Sequence, residues 1–167
     1  LDLTLLEMSL DALERSAKNT FPNTNKRQNS VNSVRVSQQT YDRLDGDKLQ
    51  VTAKVVGESN TYQSSILFSG VQFVPAGTSG AVDIGATEAI MPIESSGDCK
   101  VRCECLDFHW TFAWYNHNSD SLIGQPPKPY QKVPGSNRPD RNPAKAPGIC
   151  KHIMKLASTL KAQGVLK

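Results

Sequence analysis

Apolar residues recur at helical spacing near both ends of the chain. Residues 4–19 read TLLEMSLDALERSAKN, and Thr4 and Glu7 have the spacing of a capping box at a helix start. Residues 148–164 repeat the helical pattern, and Gly164 is suited to end that helix. The sequence therefore predicts an N-terminal and a C-terminal helix. Their buried stripes are expected to contain Leu6, Leu10, Leu13 and Ala17 in the first helix and Ile149, Ile153, Leu156 and Leu160 in the last.

Between the two helices, apolar and polar residues alternate as they do in β-strands. Residues 34–41 alternate in part, and residues 49–69 alternate on both sides of a GESN turn, which predicts a hairpin. A further short strand is expected near Ala89–Ile93 in a segment rich in glycine and serine. The strongest alternation lies in residues 99–115, which we expect to form one long strand. Its aromatic core face would consist of Leu106, Phe108, Trp110, Phe112 and Trp114, with Trp110 and Phe112 as core residues.

The segment between this strand and the last helix is rich in proline. Residues 126–147 contain seven of the ten prolines of the chain. Proline fixes φ and lacks a backbone N–H, so this segment is expected to be an extended loop, neither a helix nor a central strand. We call residues 126–147 the arm. It carries five cations, Lys128, Lys132, Arg138, Arg141 and Lys145.

The four cysteines and one histidine form the most informative pattern in the chain. Cys103-x-Cys105 is followed, after 44 residues, by Cys150-x-His152. Positions 103 and 105 of a strand point to the same side, while Cys150 and His152 fall at the start of the predicted last helix. Two such pairs complete a tetrahedral shell of thiolate and imidazole ligands with no open position for a substrate. The pattern predicts a structural Zn²⁺ site that joins the strand to the helix.

Other interpretations of the same residues remain open at the level of sequence. Cys99 in place of His152 would give four thiolates, the ligand set of a [4Fe–4S] cluster. The cysteines could also be ordinary buried apolar residues. They could form disulfides, but disulfides require an oxidising compartment, and no basic and apolar leader indicates secretion. His109 and His117 are weaker ligand candidates. Zinc is favoured because Cys-x-Cys combined with Cys-x-His is specific for this metal.

Together these elements predict one domain of the α+β class. The chain has 167 residues, of which 38% are hydrophobic, which suits a single modest core. We expect a small antiparallel sheet with N- and C-terminal helices, a metal-stapled C-terminal half and a long proline-rich loop. Residues 1–20 would form the first helix, residues 34–98 the β-rich part, and residues 99–167 the metal-binding strand, the arm and the last helix.

The distribution of charge along the chain indicates what kind of partner it would bind. Residues 1–99 carry a net charge of −4 and residues 100–167 a net charge of +7. A basic C-terminal half fits an acidic partner or nucleic acid, whose phosphates the five cations of the arm would contact.

No apolar run approaches the roughly 20 residues of a membrane span. No phosphate-binding glycine loop, nucleophile elbow or metalloprotease motif occurs, so no enzymatic activity and no small-molecule substrate are expected.

The cysteine motif resembles the ligand pattern of the SWIM zinc-finger family. The resemblance covers residues 103–152 and rests on Cys103, Cys105, Cys150 and His152. SWIM fingers are associated with binding of nucleic acids and proteins. The resemblance therefore implies nucleic-acid binding as an alternative function.

A wider resemblance covers roughly residues 99–160. The stretches CECLDFHWTFAWYN, LIGQPPKPY and NPAKAPGICKHIMKL are similar to a group of virion proteins of tailed bacteriophages. This resemblance implies a structural component of the tail, baseplate or neck that acts through protein–protein contacts. It also implies that several copies contact other virion proteins in a symmetric assembly, within a virion that is assembled in the host cytoplasm.

Overall fold

The structure is a computed structural model that describes residues 8–21 and 30–167. The strands are β1 (Arg35–Leu44), β2 (Lys48–Val56), β3 (Thr61–Phe68), β4 (Phe73–Pro75), β5 (Val82–Asp83), β6 (Glu88–Ile90) and β7 (Cys99–Cys103). The main sheet has four antiparallel strands in the order β1-β2-β3-β7, and a smaller sheet has the order β4-β6-β5. The predicted α+β class is therefore confirmed. The α-helices of the described residues are α1 (Leu10–Thr20), α2 (Ala113–Asn118) and α3 (Lys151–Ala162).

The predicted hairpin over residues 49–69 corresponds to β2 and β3. Alternate residues of β2 face the core, and the register pairs Val55 with Tyr62 next to the turn. On its other edge β3 pairs with β7, so that Ser64 lies opposite Cys103. Strand β6 lies where the short strand near Ala89–Ile93 was expected, and Ile90 is buried in the same core.

Helix α1 begins later than the sequence pattern suggests. The Ser9 side chain accepts a hydrogen bond from the backbone N–H of Ala12 at 3.1 Å, so Ser9 is the N-cap and the helix begins at Leu10. Thr4, Leu6 and Glu7 lie outside the described residues, so the predicted capping box is not tested. The expected stripe within the described part is buried, namely Leu10, Leu13 and Ala17.

Helix α3 forms within the predicted segment, although it begins at Lys151 and not at Gly148, and it ends in a Schellman motif. Gly164 has a φ of +77°, a conformation that glycine adopts without strain. The N–H of Val165 donates to the Leu160 carbonyl at 3.0 Å, and the N–H of Gly164 donates to the Lys161 carbonyl at 3.2 Å. The four apolar residues of the expected stripe are fully buried, namely Ile149, Ile153, Leu156 and Leu160.

The prediction of one long strand over residues 99–115 was wrong beyond Cys103. The chain leaves β7 and becomes helical from residue 106, with a π-helical turn over Phe108–Phe112 that continues into α2. Phe108 and Phe112 are buried four residues apart, as one face of a helix requires, whereas Leu106 is 65% exposed. Trp110 is 37% exposed and was therefore wrongly expected in the core, whereas Phe112 is fully buried.

The arm contains neither a helix nor a strand, as its prolines predicted. The Arg102 side chain fixes the chain just before it by donating to the carbonyls of Ile123 at 2.6 Å and Gln125 at 2.9 Å. Near its end, Asn142 donates to the carbonyl of Thr111 at 2.9 Å. The arm is thus held at both ends against the C-terminal half. Among the described residues, no helix is long and apolar enough to cross a membrane.

Candidate metal centre

The fold brings together the four residues that the sequence pattern selects. Cys103 is the last residue of β7, and Cys105 follows two residues later, where the chain turns into the helical segment. Cys150 is the N-cap of α3, and His152 lies in its first turn. The candidate ligand atoms of the four residues all lie within 4.8 Å of one another. A single ion between β7 and α3 could therefore be held by all four side chains.

The environment of these side chains fits a metal ion. Each of the four residues is at most 5% exposed. The Nδ1 atom of His152 is buried without a hydrogen-bond partner. A buried polar atom left unpaired costs roughly 1–3 kcal/mol, and a metal–nitrogen bond would remove this cost. Three sulfurs and one imidazole nitrogen are also the ligand types that structural zinc sites use.

Neighbouring groups already favour thiolate in this cluster. Hydrogen bonds from the side chains of Cys105 and Cys150 lower the pKa of Cys103 to about 4, against the opposing effect of burial. Ser64 Oγ also donates to Cys103 Sγ at 3.2 Å, and the Phe108 backbone N–H donates to Cys105 Sγ at 3.3 Å. For Cys150, complete burial raises the pKa of the thiol. These contacts thus favour the thiolate form of Cys103, and the thiolate is the form of cysteine that binds metals.

Cys99 does not belong to this cluster. It lies on β7 opposite Phe68, four residues before Cys103, which corresponds to about 13 Å along a strand. Burial raises the pKa of the Cys99 thiol to about 12, and the charges of Asp98 and Asp11 add to this effect. The structure therefore does not assemble the four-thiolate set of the iron–sulfur alternative. None of the four cysteines forms a disulfide.

The two other histidines also lie apart from the cluster, on the helical segment. The His109 ring packs edge-on against Trp110 at a centroid distance of 4.5 Å. The His117 ring lies 5.8 Å from that of Trp114. The group of candidate ligands includes neither histidine.

Two asparagines and one glycine that the sequence analysis did not select hold Cys150 in place. The side chain of Asn116 accepts from the N–H of Gly148 and donates to its carbonyl, both at 2.8 Å. Asn142 holds the preceding turn through Ala146, with bonds of 2.7 and 3.1 Å. No local pattern in the sequence marks either asparagine, because their partners Gly148 and Thr111 lie 32 and 31 residues away.

A cavity of about 530 Å³ lies beside the cluster. Three of the four candidate ligands, Cys105, Cys150 and His152, contribute to its wall, together with Tyr62 and the β2–β3 turn. The Tyr62 ring lies 5.0 Å from the His152 ring. The cavity gives small ions and chelators a route to an otherwise buried centre.

The five cations proposed to contact nucleic acid are all exposed on the arm. Two of them have partners within the arm. Lys132 pairs with Asp140 at 3.4 Å and donates to the Arg138 carbonyl at 3.0 Å. The Arg141 guanidinium lies 5.7 Å from the centroid of the Tyr130 ring.

Comparisons with known proteins add no relative. No protein-family model matches the chain, and neither the curated proteins nor the solved structures contain a significant match. The candidate metal centre therefore rests on its geometry.

Proposed function

We propose that Cys103, Cys105, Cys150 and His152 bind one structural Zn²⁺ ion in a non-enzymatic structural protein of a tailed-phage virion. The observation that carries the metal site is the convergence of four buried donor side chains within 4.8 Å, one of which has an unpaired Nδ1. Bound zinc would supply a fixed tetrahedral junction between strand and helix. Four protein ligands fill that coordination shell, which favours a structural over a catalytic role.

The position of the site explains what a structural metal would stabilise. The residues between Cys105 and Cys150 include the helical segment and the whole arm, which has few backbone hydrogen bonds of its own. A metal that joins β7 to α3 closes this stretch into one loop and restrains both of its ends. A small, loop-rich protein gains rigidity from such a link, which suits a component of a large assembly.

The exposed arm supports a role in protein–protein contacts. It runs along the surface with Tyr130 and Val133 exposed, and an extended segment of this kind is suited to lie across a neighbouring chain. The resemblance of three stretches within residues 99–160 to virion proteins of tailed phages favours the tail, baseplate or neck as the location. On this account the partners are other virion proteins in a symmetric assembly.

The virion assignment is tested on particles from a phage whose genome encodes this chain. Mass spectrometry of purified particles should identify the chain at a fixed ratio to the tail proteins, and crosslinking should connect the arm to a neighbour. Absence of the chain from intact, infectious particles would overturn the virion assignment and leave the metal site unaffected.

A SWIM-type nucleic-acid-binding protein is the second candidate, because five cations of the arm are exposed. In that case the affinity for a DNA or RNA duplex should fall steeply with salt. Lys128→Glu with Arg138→Glu should abolish binding, whereas Arg15→Glu with Lys54→Glu, an equal charge change outside the arm, should have a much smaller effect. Equal binding by both double variants would contradict this candidate.

A further inference from the structure

Opposite charges occupy different parts of the chain. Residues 36–98 contain eight Asp and Glu against three Lys and Arg, which gives a net charge of −5. The arm, residues 126–147, contains five Lys and Arg against Asp140, which gives a net charge of +4. Two surfaces of opposite charge on one chain can attract each other between copies.

The acidic part includes the exposed turn between β1 and β2, whose one cation, Arg43, is paired with Glu88. Asp42 and Asp45 are exposed there, and Leu44 between them is 41% exposed, although it is a large apolar side chain. Asp47 in the same turn is already engaged, because its side chain accepts a hydrogen bond from the backbone N–H of Gly70 at 3.0 Å. We call residues 42–47 the acidic tip.

The attachment points of the arm lie away from the acidic tip along the main sheet. The register aligns Leu49 with Phe68 and Cys99 at the tip end, whereas Cys103 lies toward the other end. Through this register Cys103 is level with Ala53 of β2, four residues or roughly 13 Å along the strand from Leu49. The chain just before the arm is tied to Arg102, which is level with Thr52 at the middle of β2, and the arm itself is tied to Thr111. None of the described hydrogen bonds or ion pairs of the arm reaches the tip.

The arm is better suited to an acidic protein surface than to the bases of a nucleic acid. Tyr130, its one aromatic residue, is already in contact with the Trp110 ring, at 5.9 Å, and with Arg141. The most exposed large apolar residue of the arm is the aliphatic Val133, at 75%. Cations around an exposed aliphatic side chain match the acidic tip, in which the exposed Leu44 lies between Asp42 and Asp45 in sequence and Arg43 is paired with Glu88.

From this arrangement we propose that copies of the chain associate head to tail, with the arm of one copy docked on the acidic tip of the next. The proposal rests on the structural role proposed above and names one partner of the arm, a second copy. Because the two contacting surfaces are different, a pair of copies still offers one free arm and one free acidic tip. Such a contact repeats into a ring or a filament instead of stopping at a dimer.

The experiment is a charge exchange on the full-length, metal-loaded protein. Sedimentation velocity at low ionic strength measures self-association of the original chain, of Lys128→Glu with Arg138→Glu, and of Asp42→Lys with Asp45→Lys. The fourth protein in the comparison is a variant that carries all four substitutions and so keeps the original net charge. The control pair Arg15→Glu and Lys54→Glu changes the net charge as much as the arm pair does.

The proposal predicts that either reversed surface alone weakens self-association at least about tenfold, and that the fourth protein recovers most of it. The control pair should remain within about threefold of the original chain, and high salt should dissociate all assemblies. A chain that stays monomeric at every concentration would overturn the proposal. So would a closed dimer indifferent to salt, failure of the fourth protein to recover, or an arm that binds DNA while the chain does not self-associate.

Metal content separates this proposal from the proposed function. A monomeric chain that holds one zinc ion would refute the head-to-tail contact and leave the metal site intact. An assembling chain without metal would refute the metal site and leave the contact intact.

Discussion

Gly148 is a position at which a single methyl group should disturb both packing and the metal centre. A Cβ atom added there would lie 2.5 and 2.8 Å from two ring atoms of Phe112 and 3.0 Å from Cβ of Ala17. Phe112 is fully buried, and the backbone of Gly148 is held on both sides by the side chain of Asn116. Neither the ring nor the backbone can therefore yield without losing contacts.

The expected cost of Gly148→Ala follows from these distances. Extra methylene groups in a packed core typically lower the free energy of unfolding by 1–3 kcal/mol, and with two contacts under 3 Å we expect a loss of about 3 kcal/mol for this variant. For a chain of this size, that corresponds to a decrease in Tm of roughly 6–12 °C. Because Gly148 precedes Cys150 by two residues, the affinity for metal should also fall, as measured by competition with a chromogenic chelator.

The matched control is Gly85→Ala, because no heavy atom lies within 4 Å of a Cβ there and the φ of Gly85 is not positive. Thermal melting of both variants, with and without metal, measures the effect. Phe112→Leu in the Gly148→Ala background should destabilise the protein less than the sum of the two single changes, since the smaller side chain makes room. A Gly148→Ala protein that melts within about 1 °C of the original chain would refute this view of the core.

Three further predictions concern the cysteines and the aromatic residues. Cys103→Ser or Cys150→Ser should lose the metal and unfold or destabilise the C-terminal half, because structural zinc supplies on the order of 10 kcal/mol. Cys99→Ser should keep its full metal content, and equal metal content in all three variants would contradict this prediction. Phe112→Ala should lower the free energy of unfolding by about 3–5 kcal/mol and Trp110→Ala by distinctly less, since Trp110 is partly exposed. Urea titration of the two variants should show this order, and the reverse order would contradict the helical structure of the segment after Cys105. Burial raises the pKa of Cys99 from 9.0 to about 12, so between these pH values the folded state keeps the proton that the unfolded chain loses. The free energy of unfolding should therefore fall as pH rises from 9 to 12, and it should fall less in Cys99→Ala; an equal pH dependence in both proteins would contradict this prediction.

The parts of the fold with a regular pattern could be predicted from the sequence. In β2, Leu49, Val51 and Ala53 alternate with polar residues, and only a strand buries all three on one face. In α3, Ile153, Leu156 and Leu160 have helical spacing, and Gly164 marks the end. The four candidate ligands could be selected because their chemical types and spacing are specific, even though β7 and α3 are far apart in sequence.

The segment after Cys103 could not be assigned correctly by the same reasoning. Apolar residues at 106, 108, 110, 112 and 114 satisfy a two-residue period, yet Phe108 and Phe112 also satisfy a helical one. Tertiary contacts decide between them, because Asn116 completes the buried helix face by bonding Gly148, which is 32 residues away. Such a long-range partner gives no local signal. The late start of α1 likewise depends on Ser9, whose backbone pairs with that of Asp98.

The most direct test of the metal centre is elemental analysis combined with an absorption spectrum, on protein purified without added metal. The account predicts one zinc per chain, no visible absorption, and loss of the zinc in His152→Ala but not in Cys99→Ser. A brown protein with about four irons per chain that loses them in Cys99→Ser would contradict it, because Cys99 would then have to reach the cluster.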